Sequence, residues 1–289
     1  SAPTRATRIV GAPSFRADEG NPYRRRPLLP QVDGTVLPRA VVHTPVPDPF
    51  ARALRDHHRG ERDAPLLVHG DDESRVHPVE TFYFGDPADG DALPWIESWI
   101  DGPLLDVGAG VGRDARYFQG RFETVAVEVS ETLVETMRDR GVTDARRGDM
   151  FALRETFPDD RFRSILVRGT QLGLAGSTAT LRETLADFAA VTTAAATAVV
   201  DAYDPSHPGT TDLIGYRDDP RDGLARRTIR FEYEGVRGDP LDFLLFGPDR
   251  LRAAAADAGW TVAAVERPST ADTGYYRAAL RSAQSGSPQ

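Results

Sequence analysis

The stretch Leu104-Leu105-Asp106-Val107-Gly108-Ala109-Gly110-Val111-Gly112-Arg113-Asp114-Ala115-Arg116-Tyr117-Phe118 decides the fold. Its first four residues read as a buried strand. Gly112 to Phe118 read as the opening of a helix. Between them stand glycines at alternate positions, which let the backbone take positive φ and let a ligand touch it. The helix that follows offers unpaired N–H groups and a positive dipole end, both favourable to a negative group.

Two kinds of ligand use such a turn. A dinucleotide site asks for G-x-G-x-x-G, the last glycine packing helix against strand. Here that last position is Arg113, and the third glycine comes one residue early, at Gly112. Asp106 also precedes the first glycine by two positions. A carboxylate there suits a ligand carrying an ammonium group and repels a pyrophosphate.

Outward from this turn the chain alternates. Val125 to Val129 reads as a second strand, and Ser130 as the cap of a helix through Met137 that Gly141 ends. Ala145 to Arg147 is a third strand and Ser164 to Val167 a fourth. Leu181, Leu185 and Phe188 share a helix face, and Ala198 to Asp201 is a fifth strand. Repeated strand–helix units imply a parallel sheet covered on both faces. Thr228 to Tyr233 and Leu241 to Phe246 read as later strands, and Gly247-Pro248 opens a helix through Ala256, closed by Gly259. Trp260 to Val265 and Tyr275 to Leu280 pair as an antiparallel edge. The expected fold is α/β and doubly wound. It has a mostly parallel seven-stranded sheet with an antiparallel C-terminal strand, plus an N-terminal extension.

The division expected is an extension over 1–85, a main domain over 86–284 and a tail over 285–289. Up to Pro47 the chain is rich in Pro and Arg and reads as irregular. Asp48-Pro49 reads as a helix start, with Gly60 as its end. Leu66 to Val76 reads as a hairpin around Gly70-Asp71-Asp72, and Pro94 to Ile100 as a short helix bearing Trp95 and Trp99. The extension reads as a lid or an arm.

The 289 residues suffice for one large domain. With no cysteine, disulfides and thiolate chemistry are excluded. No run of about 18 apolar residues occurs, so no spanning helix is expected. The N-terminal stretch has no apolar signal core, so a cytoplasmic location is expected. The net charge is −9, and all 35 basic residues are arginine. Acidity without lysine suggests a salt-adapted, halophilic source, where salt screens self-repulsion. It also argues against a nucleic-acid partner, which needs a basic face. The run Arg24-Arg25-Arg26 reads as a solvated charge cluster.

The segment 104–118 resembles the first motif of the class I S-adenosylmethionine-dependent methyltransferases, and further features follow in the same order. Glu128 ends the second strand, twenty positions after Gly108. Gly148-Asp149-Met150 follows the third strand, and Arg168-Gly169-Thr170-Gln171 the fourth. The resemblance spans Trp95 to Arg281 and implies a Rossmann-like fold, a methyltransferase activity and S-adenosylmethionine as cofactor. It implies that Asp106, Gly108, Ala109, Gly110 and Arg113 hold the methionine end, with Arg113 pairing the cofactor carboxylate. Glu128 and Val129 would meet the ribose, Asp149 and Met150 the adenine, and Gly169 and Thr170 would lie under the methionine part. Arg168 departs from the family, which often carries an acid there.

Acceptor-side candidates are Tyr83 and Phe84 ahead of the sheet, Gln171, Tyr203 and Asp204 at strand exits, and His207 and Tyr216 in the next loop. A catalytic base is not assigned. Adjacent His57 and His58 point about 100° apart on a helix, so with His69 and His77 they are not expected to bind a metal. The expected function is methyl transfer to an acceptor that the residues do not identify, more in keeping with a small molecule than with protein or nucleic acid. The alternatives are a non-catalytic binder of S-adenosylmethionine or S-adenosylhomocysteine, and an NAD(P)-dependent oxidoreductase.

Overall fold

The computed structural model describes residues 48–268 and 273–283. The Pro- and Arg-rich stretch up to Pro47, with its arginine run, and the 285–289 tail lie outside the described residues. Asp48 caps helix α1 (Pro49–Arg59) by accepting the Ala51 amide at 2.9 Å, and Gly60 ends it at φ 72°. The expected hairpin follows as strands β1 (Leu67–His69) and β2 (Ser74–Val76). A π-helical turn, Glu80–Phe84, leads to the short helix α2 (Leu93–Glu97). That helix ends three residues before the Ile100 expected for it. Its cap amide, Ser98, already turns back to the Ile96, Pro94 and Trp95 carbonyls.

Four strand–helix steps and a fifth strand build the scaffold: β3 (Leu104–Val107), α3 (Arg113–Phe118), β4 (Thr124–Glu128), α4 (Glu131–Asp139), β5 (Ala145–Arg147), α5 (Leu153–Thr156), β6 (Phe162–Val167), α6 (Thr178–Val191) and β7 (Thr192–Tyr203). A second run of strands comes next: β8 (Tyr216–Asp218), β9 (Leu224–Tyr233), β10 (Val236–Arg237) and β11 (Leu241–Phe246). Helix α7 (Pro248–Asp257) and strands β12 (Trp260–Glu266) and β13 (Tyr275–Ser282) complete the described chain.

The main sheet has seven strands in the order β12-β13-β7-β6-β3-β4-β5. Strands β3 to β7 are parallel, and β13 runs antiparallel between β7 and β12. All four residues of β3 are buried, as a strand covered on both faces requires. Leu181, Leu185 and Phe188 of α6 are fully buried against this sheet. Ser130 precedes α4 without capping it; its hydroxyl donates instead to Asp48 at 2.8 Å, tying the starts of α4 and α1 together.

A second sheet stands beside the first. Strand β9 is its spine and pairs with β1, β8, β10 and β11, all antiparallel. The early hairpin and the late strands therefore share one sheet. Its apolar face joins α1 and the glycine turn in one buried cluster that includes Leu54, Leu66, Val111, Leu133, Phe231 and Tyr233. Each fully buried Leu or Phe side chain stabilises by about 1.5–3 kcal/mol, so this seam holds the second sheet against the carboxyl ends of β3 and β4. No helix among the described residues is long and apolar enough to cross a membrane.

Candidate active site

Between the two sheets lies a cavity of about 970 Å³. Its wall contains Asp106, Gly108, Ala109, Gly110, Arg113, Glu128, Val129, Asp149, Met150, Gly169 and Thr170, the residues the sequence pointed to for a cofactor. Tyr83, Gln171 and Tyr203 line it too. A cleft at the carboxyl ends of parallel strands, where strand order reverses, is where open α/β sheets bind ligands.

The glycine turn is built for a close approach. Gly108, Gly110 and Gly112 all have positive φ, 67°, 59° and 74°. A Cβ on Gly108 would press on Gln171 Cγ at 2.9 Å, and one on Gly112 on Val142 Cγ2 at 2.6 Å. At Gly110 the nearest atom would be Tyr83 Cδ1 at 3.9 Å, so that glycine opens onto free space. Glu128 accepts the Gly110 amide on Oε2 at 3.1 Å, and the Val129 and Ser130 amides on Oε1 at 2.8 and 3.2 Å. A carboxylate has about four lone-pair directions, so Oε2 keeps one for a ligand hydroxyl. Burial raises the Glu128 pKa, while the three amides work to lower it.

Asp106 is 3% exposed, and its Oδ2 has no hydrogen-bond partner. Burial first, and the neighbouring Asp114 carboxylate second, push its pKa up to about 8; Arg168 and Arg113 oppose them. Arg168 donates to Asp114 Oδ1 at 2.8 Å, so the arginine that departs from the expected pattern compensates the second acid. The Ala115 amide serves this carboxylate, but a buried oxygen without a donor is costly, and an ammonium group arriving at Oδ2 would satisfy it. The chain's own residues thus fit the amino-acid end of S-adenosylmethionine.

The next turn is held from below. Gly169 and Thr170 both have positive φ, 78° and 60°. Asp201, at the end of β7, accepts their amides at 3.0 and 2.5 Å and the Tyr275 hydroxyl at 2.7 Å. A non-glycine residue in this conformation costs about 1–2 kcal/mol, which the bonds to a buried carboxylate offset. Asp149 accepts the Phe151 amide at 2.9 Å, fixing the loop that carries Met150.

Arg113 lines the cavity, but its guanidinium donates to the Phe82 carbonyl at 2.9 Å and lies 3.5 Å from Asp114. It holds the π-helical turn over the cleft. Arg140 supports that turn from outside, donating to the Tyr83 carbonyl at 3.2 Å and covering the Phe84 ring. Phe82, half exposed, sits at the rim.

Some candidates fall elsewhere. His207 is not in the cavity wall: its Nδ1 accepts the Gly209 amide at 3.2 Å and caps a short turn. Phe84 packs on His57, Asp204 pairs with Arg267, and Tyr216 donates to Asp218. His69 faces Glu232, whereas His77 is in the wall, 2.8 Å from the Tyr83 hydroxyl. Sequence reading missed much of the remaining wall: Phe50, His77, Arg227, Ile229, Phe231 and Phe243, together with Asp201 and Tyr275. The alternation of β9 signals a strand but not which face it turns toward a cavity made by distant segments.

No protein-family model matches the chain, and no curated protein matches it. Among solved structures it is similar to a SAM-dependent methyltransferase from Bacteroides fragilis in complex with S-adenosyl-L-homocysteine. The two are 25% identical, with a TM-score of 0.66 over 82% of this chain and 95% of that one. It shares its fold with the CcbJ methyltransferase from Streptomyces caelestis, at 17% identity and TM-score 0.53 over 69% and 91% of the two chains. A S-adenosylmethionine-dependent methyltransferase from Clostridium acetobutylicum shares it too, at 14% and 0.52 over 67% and 93%. The chain thus has the fold of S-adenosylmethionine-dependent methyltransferases, and the residues of its cleft fit S-adenosylmethionine as a cofactor.

Proposed function

We propose that the chain transfers the methyl group of S-adenosylmethionine to a small molecule seated between the two sheets. The observation that carries this reading is the unpaired Asp106 Oδ2 beside the glycine turn, in the same cavity as Glu128 and Asp149. Three neighbouring strand ends thus face one ligand. Asp106 would receive the ammonium group, Glu128 a ribose hydroxyl, and the Asp149–Met150 loop the adenine.

When bound, S-adenosylmethionine supplies a methyl group already activated on sulfur. The protein has then to orient the acceptor and exclude water, which together can lower the barrier by about 7–11 kcal/mol in favourable cases. Tyr83, on the turn anchored by Arg113 and Arg140, closes one side, and Gln171 and Tyr203 close the other. His77 is neutral at pH 7, because burial lowers its pKa to about 4. Through the Tyr83 hydroxyl it could relay a proton released by the acceptor. A small molecule is favoured over a macromolecule because the acceptor side is a walled chamber rather than an open basic groove.

Calorimetry with S-adenosylhomocysteine and methyl-label transfer to small-molecule extracts test the proposal. Tight binding with no transfer to any acceptor would favour a non-catalytic binder. Nicotinamide cofactor binding without S-adenosylhomocysteine binding would favour the oxidoreductase. A cytoplasmic location is part of the same proposal, and so is salt adaptation, which the acidic, lysine-free composition supports. A melting temperature that does not rise with potassium chloride counts against the salt adaptation.

A further inference from the structure

Among the described residues, the acceptor half of the cavity holds a half-buried cation, Arg227, that no carboxylate pairs with. Arg227 lies on β9 among the wall residues. Its Nε donates to the Ile214 carbonyl at 3.0 Å, which fixes the plane of the guanidinium. Its two terminal nitrogens have no hydrogen-bond partner among the described residues. No carboxylate among those residues lies within ion-pair distance of it. The groups that act on its charge are the Tyr203 and Tyr83 hydroxyls, and a second arginine, Arg75, which repels it. His77, also beside it, is held neutral partly by its presence. Other arginines of the cavity wall are compensated: Arg168 by Asp114, and Arg277 by Glu266 at 2.6 Å.

Apolar side chains line the wall beside it as well. Phe231 and Ile229, on the same strand, and Phe243 across from it are buried. Phe50 packs on Phe231 with ring centroids 4.8 Å apart. A guanidinium desolvated in such walls is costly to leave alone, so it stands as half of an ion pair that a ligand completes.

We propose that the methyl acceptor is an apolar-bodied small molecule bearing a single carboxylate, bound by the terminal nitrogens of Arg227 with its body against Phe50, Phe231 and Phe243. This rests on the reading of the cavity as a methyl-transfer site and names the class of molecule that enters it. A carboxylate matches the two-nitrogen edge of a guanidinium bidentately. A doubly charged phosphate does not fit as well, because one arginine leaves its second charge uncompensated in an apolar chamber. Arg227 is a specificity-determining residue on β9 of the second sheet, whereas the orphan carboxylate, Asp106, is on β3 of the first.

The test uses benzoate, 3-phenylpropanoate and octanoate, each against its own amide. Binding is read by calorimetry on the full chain with and without S-adenosylhomocysteine. At least one acid should bind about tenfold or more tightly than its amide, as a charge-assisted pair in place of a neutral contact implies. In Arg227→Met and Arg227→Gln that preference should vanish, while S-adenosylhomocysteine affinity and the circular dichroism spectrum stay as in the wild type. Arg227→Lys should restore only part of it. Equal binding of every acid and its amide, or a preference that survives Arg227→Met, overturns the proposal. So does phenyl phosphate binding more tightly than all three acids. Failure of the wild type to bind S-adenosylhomocysteine would instead strike the methyl-transfer reading, since acid-over-amide selection is read without it.

Discussion

The two halves of the cavity are made in opposite ways. The cofactor half is local and polar: Asp106, Gly108, Gly110 and Glu128 come from two adjacent parallel strands and the turn after the first. Its charges are pinned by backbone amides and by arginine–aspartate pairs. The acceptor half is assembled from remote segments and is apolar. Phe50 comes from α1, His77 and Tyr83 from the stretch after the hairpin, Tyr203 from β7, and Arg227, Phe231 and Phe243 from the second sheet. Binding a constant ligand favours a short, pre-formed motif, whereas an acceptor pocket built from long-range contacts can change without disturbing the cofactor.

The contrast can be broken at its glycines. Gly112→Ala presses a Cβ on Val142 and Met137 at a positive φ, and Gly215→Ala drives one into the Thr228 carbonyl oxygen. Side chains yield more than a paired β9 backbone does, so Gly215→Ala should be the worse. We expect losses of about 2–5 kcal/mol in urea denaturation, from overpacking and left-handed strain together. At temperatures where both remain folded, only Gly112→Ala should weaken S-adenosylhomocysteine binding. Equal weakening in both would erase the division.

A smaller effect separates the halves by ligand. Glu128→Ala should reduce S-adenosylhomocysteine affinity by about 1–3 kcal/mol in calorimetry, through loss of charged hydrogen bonds. Tyr203→Phe should leave that affinity unchanged and alter only the turnover of a methyl acceptor. Unchanged affinity in a folded Glu128→Ala variant would remove the ribose assignment.

Protons sharpen the comparison further, because His77 in one half and Asp106 in the other are displaced in opposite senses. His77 has a folded pKa of about 4, below its ordinary 6.5. The unfolded chain therefore binds more protons between these values, and the stability His77 contributes is lost as pH falls from 6.5 through 4. His77→Phe should flatten that part of the profile of urea midpoints against pH. Asp106 is shifted upward, so the folded chain binds the extra proton, and its effect on stability grows worse as pH rises from about 4 toward 8. Near neutral pH it is largely protonated. An ammonium group favours its ionised form, so S-adenosylhomocysteine binding should release up to about one proton. Calorimetry in buffers of differing ionisation enthalpy reads this release, and Asp106→Asn should abolish it.

The same contrast explains what could be read in advance. The seven-stranded sheet, the turn at 106–112 and the positions of Glu128 and Asp149 were legible because period, caps and glycine spacing are short-range signals. Arg113 was legible as a wall residue, yet its partner, the Phe82 carbonyl, lies on a turn that no periodicity connects to it. Ser130 looked like an ordinary cap until Asp48 proved to be its acceptor. His77 and Arg227 gave no signal, because a histidine after a hairpin and an arginine in an alternating strand are common on a solvated face. Arg227 stands opposite Phe243 of β11 and His77 follows β2, so only the assembled second sheet brings both to the cavity.

That pairing sets a timetable for biosynthesis. Val68 bonds in register with Phe231, whose codon is reached 231 − 68 = 163 residues later. At ribosomal speeds of about 5–20 residues per second, the hairpin waits roughly 10–30 s with one edge unmatched. Its outer strand is short and exposed along its whole length, Ser74-Arg75-Val76, with a charge at its centre. Such an edge discourages pairing with other chains on the side that β9 never covers, while the edge of β1 waits for β9.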